Sequence, residues 1–129
     1  MAQRIGLVTL VVRNYDEAIA YYVGKLGFEL VENTPLDAVK RWVVVSPPGG
    51  IGCGLLLAQA TGESQAKAVG DQTGGRVFLF LYTDDFARDY RVYRERGVSF
   101  AEAPRREAYG MVAVFTDLYG NRWDLIEPG

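Results

Sequence analysis

The stretch RIGLVTLVVRNYDEAIAYYVGKLGFEL, residues 4–30, contains the signals that decide the fold. It opens with an apolar run rich in β-branched side chains, which predicts a strand. Asn14 then suits a helix N-cap, and it is followed by two acids in the first turn and by apolar residues at helical spacing. Gly27 supplies the stop of this predicted helix, and Phe28 to Val31 has the composition of a second strand.

Two more predicted strands complete this part of the chain, Trp42 to Ser46 and Gly54 to Ala58. The sequence SPPGG, residues 46–50, lies between them and is typical of a turn, because proline and glycine interrupt regular structure. The predicted order is therefore strand, helix and three strands, a βαβββ unit.

The second half of the chain repeats this pattern. GRVFLFLYTDDFARDYRVYRERGVSF, residues 75–100, aligns with the opening stretch at a constant offset of 70, which pairs Asn14 with Asp84 and Gly27 with Gly97. Few identities are shared, but the order of strand, cap, helix, glycine and strand agrees. The segments MVAVFTD and NRWDLIE then predict two closing strands.

Polar, glycine-rich residues separate the two halves and predict a linker with a short helix inside it. The sequence thus predicts one α+β domain over residues 1–129, with a first module at about 1–58, a linker at about 59–75 and a second module at about 76–129.

Alternation along the strands predicts which face each side chain occupies. In the first strand, Val8, Leu10 and Val12 are expected to face the helix, with Leu7, Thr9 and Val11 on the other side. The same rule applied to the second module assigns Phe78, Phe80 and Tyr82 to the helix side, and Val77, Leu79 and Leu81 to the other. Each predicted sheet therefore has an apolar face that its helix does not cover, and a ligand, a curled sheet or a second subunit must bury it.

Composition excludes several function classes. The net charge of −2 disfavours nucleic-acid binding, and no apolar run reaches the length of a membrane span. The chain contains no histidine, which removes the commonest metal ligand and every Ser-His or Cys-His arrangement. Cys53 is the only cysteine and cannot form an internal disulfide. The N-terminus shows no secretory signal, so a cytoplasmic location is expected.

The chain resembles the vicinal oxygen chelate superfamily, which includes glyoxalases, bleomycin-resistance proteins and extradiol dioxygenases. The resemblance is carried by GLVTLVVRNYDEAIAYYVGKLGFEL, by RVFLFLYTDDFARDYRVYRERGVSF and by YGMVAVFTDLYGNRWDLIEP, which contains the closing pattern Tyr-Gly, Asp-x-x-Gly-Asn and acid-Leu. It covers nearly all 129 residues. It implies two βαβββ modules that form a U-shaped mixed sheet around a cavity, the glyoxalase/bleomycin-resistance fold, and commonly a homodimer.

The resemblance also implies where a metal would bind in related proteins, and those positions have changed in this chain. The ligands on the first strand of each module correspond to Leu7 and Val77, and those on the fourth strands to a residue near Leu55 and to Asp124. One carboxylate among aliphatic side chains does not suit Zn, Ni, Fe or Mg. We therefore expect no metal and no cofactor, and Asp124 either lines a ligand pocket or is a solvated or ion-paired acid.

Without a metal, the resemblance implies a small-molecule binding protein that sequesters an aromatic or cationic compound such as an antibiotic. The apolar face and the aromatic side chains are suited to stacking on a planar ligand. Trp123, next to Asp124, is expected in the core, and Trp42 either in the core or in the pocket wall. The predicted lining comprises Leu7, Thr9, Trp42, Leu55, Leu57, Val77, Leu79, Arg106, Tyr109, Met111, Phe115 and Asp124.

Two alternatives remain open from the sequence. The protein could be a glyoxalase-like lyase or isomerase, with Asp124 as general base and Arg105, Arg106 or Tyr109 holding an anionic substrate. The polar segment PRREAYG, residues 104–110, could equally be a solvated loop. The uncovered apolar faces could instead serve mainly for assembly, and a homodimer is the expected state in every case.

Overall fold

The computed structural model describes residues 1–129, in a mixed α+β fold of two sheets and three helices that divides into two compact units, Met1–Val69 and Gly70–Gly129. The elements of the first unit are β1 (Leu7–Val12), α1 (Tyr15–Gly24), β2 (Glu29–Pro35), β3 (Arg41–Ser46), β4 (Gly54–Gln59) and α2 (Gly62–Ala68). Its strands are ordered β1-β4-β3-β2, with β1 and β4 parallel and the other neighbours antiparallel.

The start of α1 follows the sequence prediction. The Asn14 side chain caps the helix by accepting a hydrogen bond from the Glu17 N–H at 3.0 Å. The helix ends at Gly24, and the N–H of Phe28 donates back to the Tyr22 carbonyl at 2.9 Å. This closing turn needs Gly27 at φ 74°, a conformation that favours glycine.

Strand β1 presents its faces as predicted. Leu10 and Val12 are fully buried, whereas Leu7 is 41% exposed. Val12 is paired with Gln59 of β4, and the Gln59 side chain accepts a hydrogen bond from the first N–H of α1 at 3.1 Å. Residues directly opposite in a ladder share a face, so this bond shows that the buried side of β1 is the side covered by α1.

The second unit contains β5 (Val77–Tyr82), α3 (Phe86–Glu95), β6 (Ser99–Phe100), β7 (Arg105–Glu107), β8 (Gly110–Thr116) and β9 (Arg122–Pro128). Its sheet has the order β5-β9-β8-β6, with β7 also paired to β8. Strands β5 and β9 are parallel, as are β1 and β4 in the first unit. The predicted repeat of strand, helix and closing strands is therefore present in both units.

The cap of α3 differs from the ungapped repeat. Asp85, rather than the predicted Asp84, accepts the hydrogen bond from the Arg88 N–H at 3.0 Å. Strand β5 starts 70 residues after β1, but α3 starts 71 residues after α1, so the second unit has one extra residue between the start of its first strand and the start of its helix. The bulge in β5 accounts for this residue and shifts the cap by one position. The Thr83 hydroxyl, between β5 and the cap, accepts a hydrogen bond from the Asp85 N–H at 3.1 Å.

A bulge at Phe78 reverses the predicted faces of β5. The pairing with β9 shifts between Val77 and Leu79, so Leu79 lies opposite Trp123, and Phe80 lies opposite Asp124. The Trp123 ring stacks on the Phe115 ring with 5.7 Å between their centroids, and Phe115 in turn contacts Tyr93 of α3. The face of the sheet that carries Trp123 is therefore the face covered by α3. The prediction for this strand is therefore wrong after the bulge: Leu79 and Leu81 face α3, and Phe80 and Tyr82 face away.

Gly110 explains the Tyr-Gly pair of the closing pattern. It begins β8 at φ 138°, and a Cβ placed there would lie 2.0 Å from the Glu127 carbonyl oxygen. No side chain fits so close to the backbone of the neighbouring strand, so the position requires glycine.

None of the three helices of the fold has the length and apolar character needed to cross a bilayer.

Candidate functional site

Asp124 lies in the middle of β9, on the face of its sheet turned away from α3. It is flanked across the ladder by Val114 of β8 and Phe80 of β5. The residue is only 7% exposed, and its Oδ1 atom is buried without a hydrogen-bond partner. An unpaired buried polar atom costs stability and needs an explanation, and ligand recognition is a common one.

Burial raises the pKa of Asp124 above its ordinary value, because a charged carboxylate loses hydration there. Two neighbouring charges act in opposite directions: Arg105 lowers the pKa, and Glu102 raises it. Arg105 is already engaged, since it makes ion pairs with Glu102 at 2.9 Å and Glu107 at 3.1 Å. Burial therefore makes ionisation of Asp124 less favourable than that of an exposed aspartate, and a positive group placed beside it would reverse this effect.

Two aromatic side chains share the face of Asp124 and are open to solvent. Phe80, directly opposite Asp124, is 56% exposed, and Tyr82, two residues further along β5, is 66% exposed. Arg105 faces the same side, because it pairs with Val112 opposite Ile126. Sequence reasoning missed Phe80 and Tyr82 because strict alternation placed them under the helix.

The other buried acid of this segment has a structural task. Both carboxylate oxygens of Asp117 are hydrogen bonded: Oδ1 accepts from the N–H groups of Tyr119 and Asn121 at 3.0 Å, and Oδ2 accepts from the Asn121 amide and the Trp123 indole at 3.1 Å. Asp117 and Asn121 of the Asp-x-x-Gly-Asn pattern thus fix the turn before β9. That turn positions Trp123 on the helix side and Asp124 on the opposite side.

The strand register places some predicted lining residues of the second unit on the face of Asp124 and others on the face covered by α3. Val77, opposite Arg122, shares the face of Asp124. Leu79, Met111 and Phe115 lie on the α3 side, and their predicted placement on the uncovered face is wrong. Arg106 pairs with Met111 and is exposed, and Tyr109 is 53% exposed in the turn between β7 and β8.

The first unit shows a similar division. Leu7 and Thr9 lie on the uncovered face and are exposed. Leu55 and Leu57 are buried on the α1 side, because they pair with Val8 and Leu10, and the uncovered face of this strand carries Gly54 and Leu56 instead. Trp42 is half-buried and lines a pocket of about 320 Å³ formed by residues of this unit.

The side chains at the metal positions of related proteins do not suit a metal ion. Leu7 and Val77 offer no donor atoms, and the residues opposite and beside Leu7 on β4 are Gly54 and Leu55. Asp124 is the only residue at these positions whose side chain could coordinate a metal ion. A typical metal site needs three or four protein ligands, so one carboxylate does not form such a site.

Comparison with known proteins agrees with this architecture. An uncharacterized protein of Shewanella frigidimarina (strain NCIMB 400) is 55% identical over 128 residues, which cover 98% of this chain and 95% of that protein. The crystal structure of UcmS2 matches with a TM-score of 0.84 at 28% identity, covering 98% of both chains. TnmS3, an antibiotic binding protein from Streptomyces sp. CB03234, matches with a TM-score of 0.80 at 28% identity, covering 99% of this chain and 98% of TnmS3.

A family model also matches most of the sequence. The model describes the Glyoxalase/Bleomycin resistance protein/Dioxygenase superfamily, and the match runs from residue 4 to residue 125. Together with the two-sheet fold, this match establishes that the chain belongs to the glyoxalase/bleomycin resistance protein/dioxygenase superfamily.

Proposed function

We propose that this protein binds a small aromatic cation without the help of a metal, and that Asp124 receives the positive group. The observation that carries the proposal is the buried Oδ1 of Asp124, which has no partner, on a face with two exposed aromatic rings. An antibiotic of this chemistry is one candidate ligand. The similarity to TnmS3, described as an antibiotic binding protein, supports this class of function.

The two kinds of group on this face complement such a ligand. A carboxylate that is removed from water gains more from a charge-assisted hydrogen bond than an exposed one. Phe80 can contribute a cation–π contact, and its open face and that of Tyr82 can pack against an aromatic ring. The ligand would therefore supply the missing partner of Asp124 and cover apolar surface at the same time.

Titration with 2-naphthylmethylammonium tests this proposal. We expect saturable binding by calorimetry that weakens by about 30-fold or more in Asp124→Asn, the low end of the range for removing one partner of a buried charge pair. Affinity should rise with pH up to the raised pKa of Asp124, because the acid must lose its proton to pair with the cation. Asp84→Asn is the matched control, since the Asp84 side chain is 87% exposed, and it should bind like the wild type.

Neutral 2-naphthylmethanol, which has the same rings, should bind more weakly than the ammonium compound. Equal affinities of the ammonium probe for the wild type and for Asp124→Asn would contradict the proposal.

The raised pKa of Asp124 favours a second candidate function, a glyoxalase-like lyase or isomerase that uses this residue as general base. Such an enzyme would remove a proton next to a carbonyl group, and Arg105 on the same face could stabilise the developing negative charge. Exchange of the C–H proton of α-hydroxycarbonyl compounds with solvent deuterium, lost in Asp124→Asn, would support it. Binding of the ammonium probe without any exchange supports the binding protein instead.

We also propose that the protein acts as a homodimer. Strand β2 is an edge strand that is exposed along its whole length and includes Leu30 and Val31. Edge strands with apolar side chains readily pair or become covered. Light scattering should give twice the chain mass of 14.3 kDa, and a monomer at micromolar concentration would contradict this proposal.

A further inference from the structure

Strands β3 and β4 stop pairing before they end. Their ladder extends only from the Val45–Leu55 pair to the Val43–Leu57 pair, although β3 begins at Arg41 and β4 continues to Gln59. These two strands are the central pair of the first sheet, so the gap is not fraying at an edge. The pocket of about 320 Å³ lies at these separated ends, and its volume falls within the range of roughly 300–1,000 Å³ typical of small-molecule sites.

The pocket wall includes an aromatic ring that does not stack on any other ring of the protein. Trp42 is half-buried in its wall, and its ring stacks on no other aromatic side chain. Leu56 and Ala58 of β4 add apolar surface, and Val39 stands 68% exposed among the lining residues. A flat ring placed against Trp42 would gain stacking energy and shield these groups from water.

The polar groups of the pocket are mainly donors. The Gln59 side-chain oxygen is occupied by the Tyr15 N–H, and the Gln65 side-chain oxygen by the Thr61 N–H at 2.9 Å, so the amide N–H groups of both glutamines remain unused. The Trp42 indole N–H is a further donor without an acceptor. A ligand that fills this pocket must therefore bring acceptor atoms.

Charge favours the same kind of ligand. No aspartate or glutamate lines the pocket, whereas Lys40 and Arg41 do. Arg41 makes an ion pair with Asp16 at 2.9 Å, whereas the Lys40 ammonium group makes no ion pair and interacts only at longer range with Asp37, which does not line the pocket. The charge of the lining residues is therefore positive, which attracts an anion.

We propose that this pocket binds an aromatic carboxylate, with its ring against Trp42 and its carboxylate among the glutamine amides and Lys40. The site is additional to Asp124: all of its lining residues belong to the first unit, and it selects the opposite charge. Its ligand is small, of the size of one or two fused rings, because the pocket volume is at the low end of the usual range.

Calorimetric titration with 2-naphthoate tests the proposal on the full chain. We expect binding that weakens about 2–5-fold in Lys40→Gln and more than about 10-fold in Trp42→Leu, with 2-naphthylmethanol binding more weakly than the carboxylate. Lys25→Gln is the matched control, because Lys25 lies beyond the C-terminal end of α1 whereas Tyr15, which lines the pocket, begins that helix. This variant should bind 2-naphthoate like the wild type.

Either of two results would overturn the proposal. One is the absence of 2-naphthoate binding by the wild type, and the other is an affinity that neither Lys40→Gln nor Trp42→Leu changes. Lys40 is exposed, so its variant keeps the fold, and circular dichroism checks this for both variants. The Asp124 experiment uses a probe of opposite charge and a variant in the other unit, so a failure of one proposal is distinguishable from a failure of the other.

Discussion

Replacing Asp117 with alanine is expected to lower the free energy of unfolding by about 3–5 kcal/mol, the largest single effect we predict. The substitution removes four hydrogen bonds at once, from Tyr119, from both nitrogens of Asn121 and from the Trp123 indole. Asn121 and Trp123 are 3% and 2% exposed, so water cannot replace the lost partner without opening the turn. Urea unfolding followed by circular dichroism measures the change.

Two further variants distinguish the stability lost with the hydrogen bonds of Asp117 from the stability lost with its negative charge. Asp117→Asn keeps one acceptor oxygen and should cost less than the alanine variant. Asp84→Ala removes an exposed acid of the same unit and should change the free energy of unfolding by less than about 0.5 kcal/mol. If Asp117→Ala is as stable as Asp84→Ala, then Asp117 does not hold the turn in solution.

Asp124→Asn should have the opposite effect and raise the free energy of unfolding by about 1–3 kcal/mol at pH 8. The wild type then holds a charged carboxylate whose Oδ1 atom is buried without a partner, and the amide avoids the loss of ionic hydration. A residue that reduces stability in this way is expected at a binding site rather than in a core. Urea unfolding of both proteins between pH 3 and pH 8 measures the difference.

The pH dependence of this difference has a definite sign. Because burial raises the pKa of Asp124 above 3.8, the folded protein holds the proton more tightly than the unfolded chain. Stability of the wild type therefore falls as the pH rises from 3.8 to the raised pKa and is unaffected by this group at higher or lower pH. The advantage of Asp124→Asn should vanish near pH 3, and an advantage that is the same at every pH would contradict this cause.

Most of the architecture was predictable from the sequence because its signals are local. Asn14 caps α1, and the order of strands and helices repeats in both units. The cap of α3 was not predictable, since Asp84 and Asp85 are equally good caps and the extra residue of the β5 bulge moves the cap to Asp85. The bulge at Phe78 was also missed, because apolar residues on both sides of it leave no break in the pattern.

The candidate sites were less accessible to sequence reasoning. The face of Asp124 and the core position of Trp123 followed correctly from alternation within β9. The residues around them depend on register between strands, which the sequence of a single strand does not specify. The point at which the β3–β4 ladder ends has no local signature at all, so the pocket beside Trp42 emerges only from the three-dimensional structure.

The bulge at Phe78 affects how residue roles can be transferred among relatives. In a homologue that lacks the inserted residue, the side chain aligned with Phe80 would face the helix rather than the uncovered side of the sheet. An alignment without a gap would then equate a ligand-facing position with a core position throughout the rest of the strand. Differences in specificity between such homologues could arise from this single insertion, with no change in the chemistry of the aligned residues.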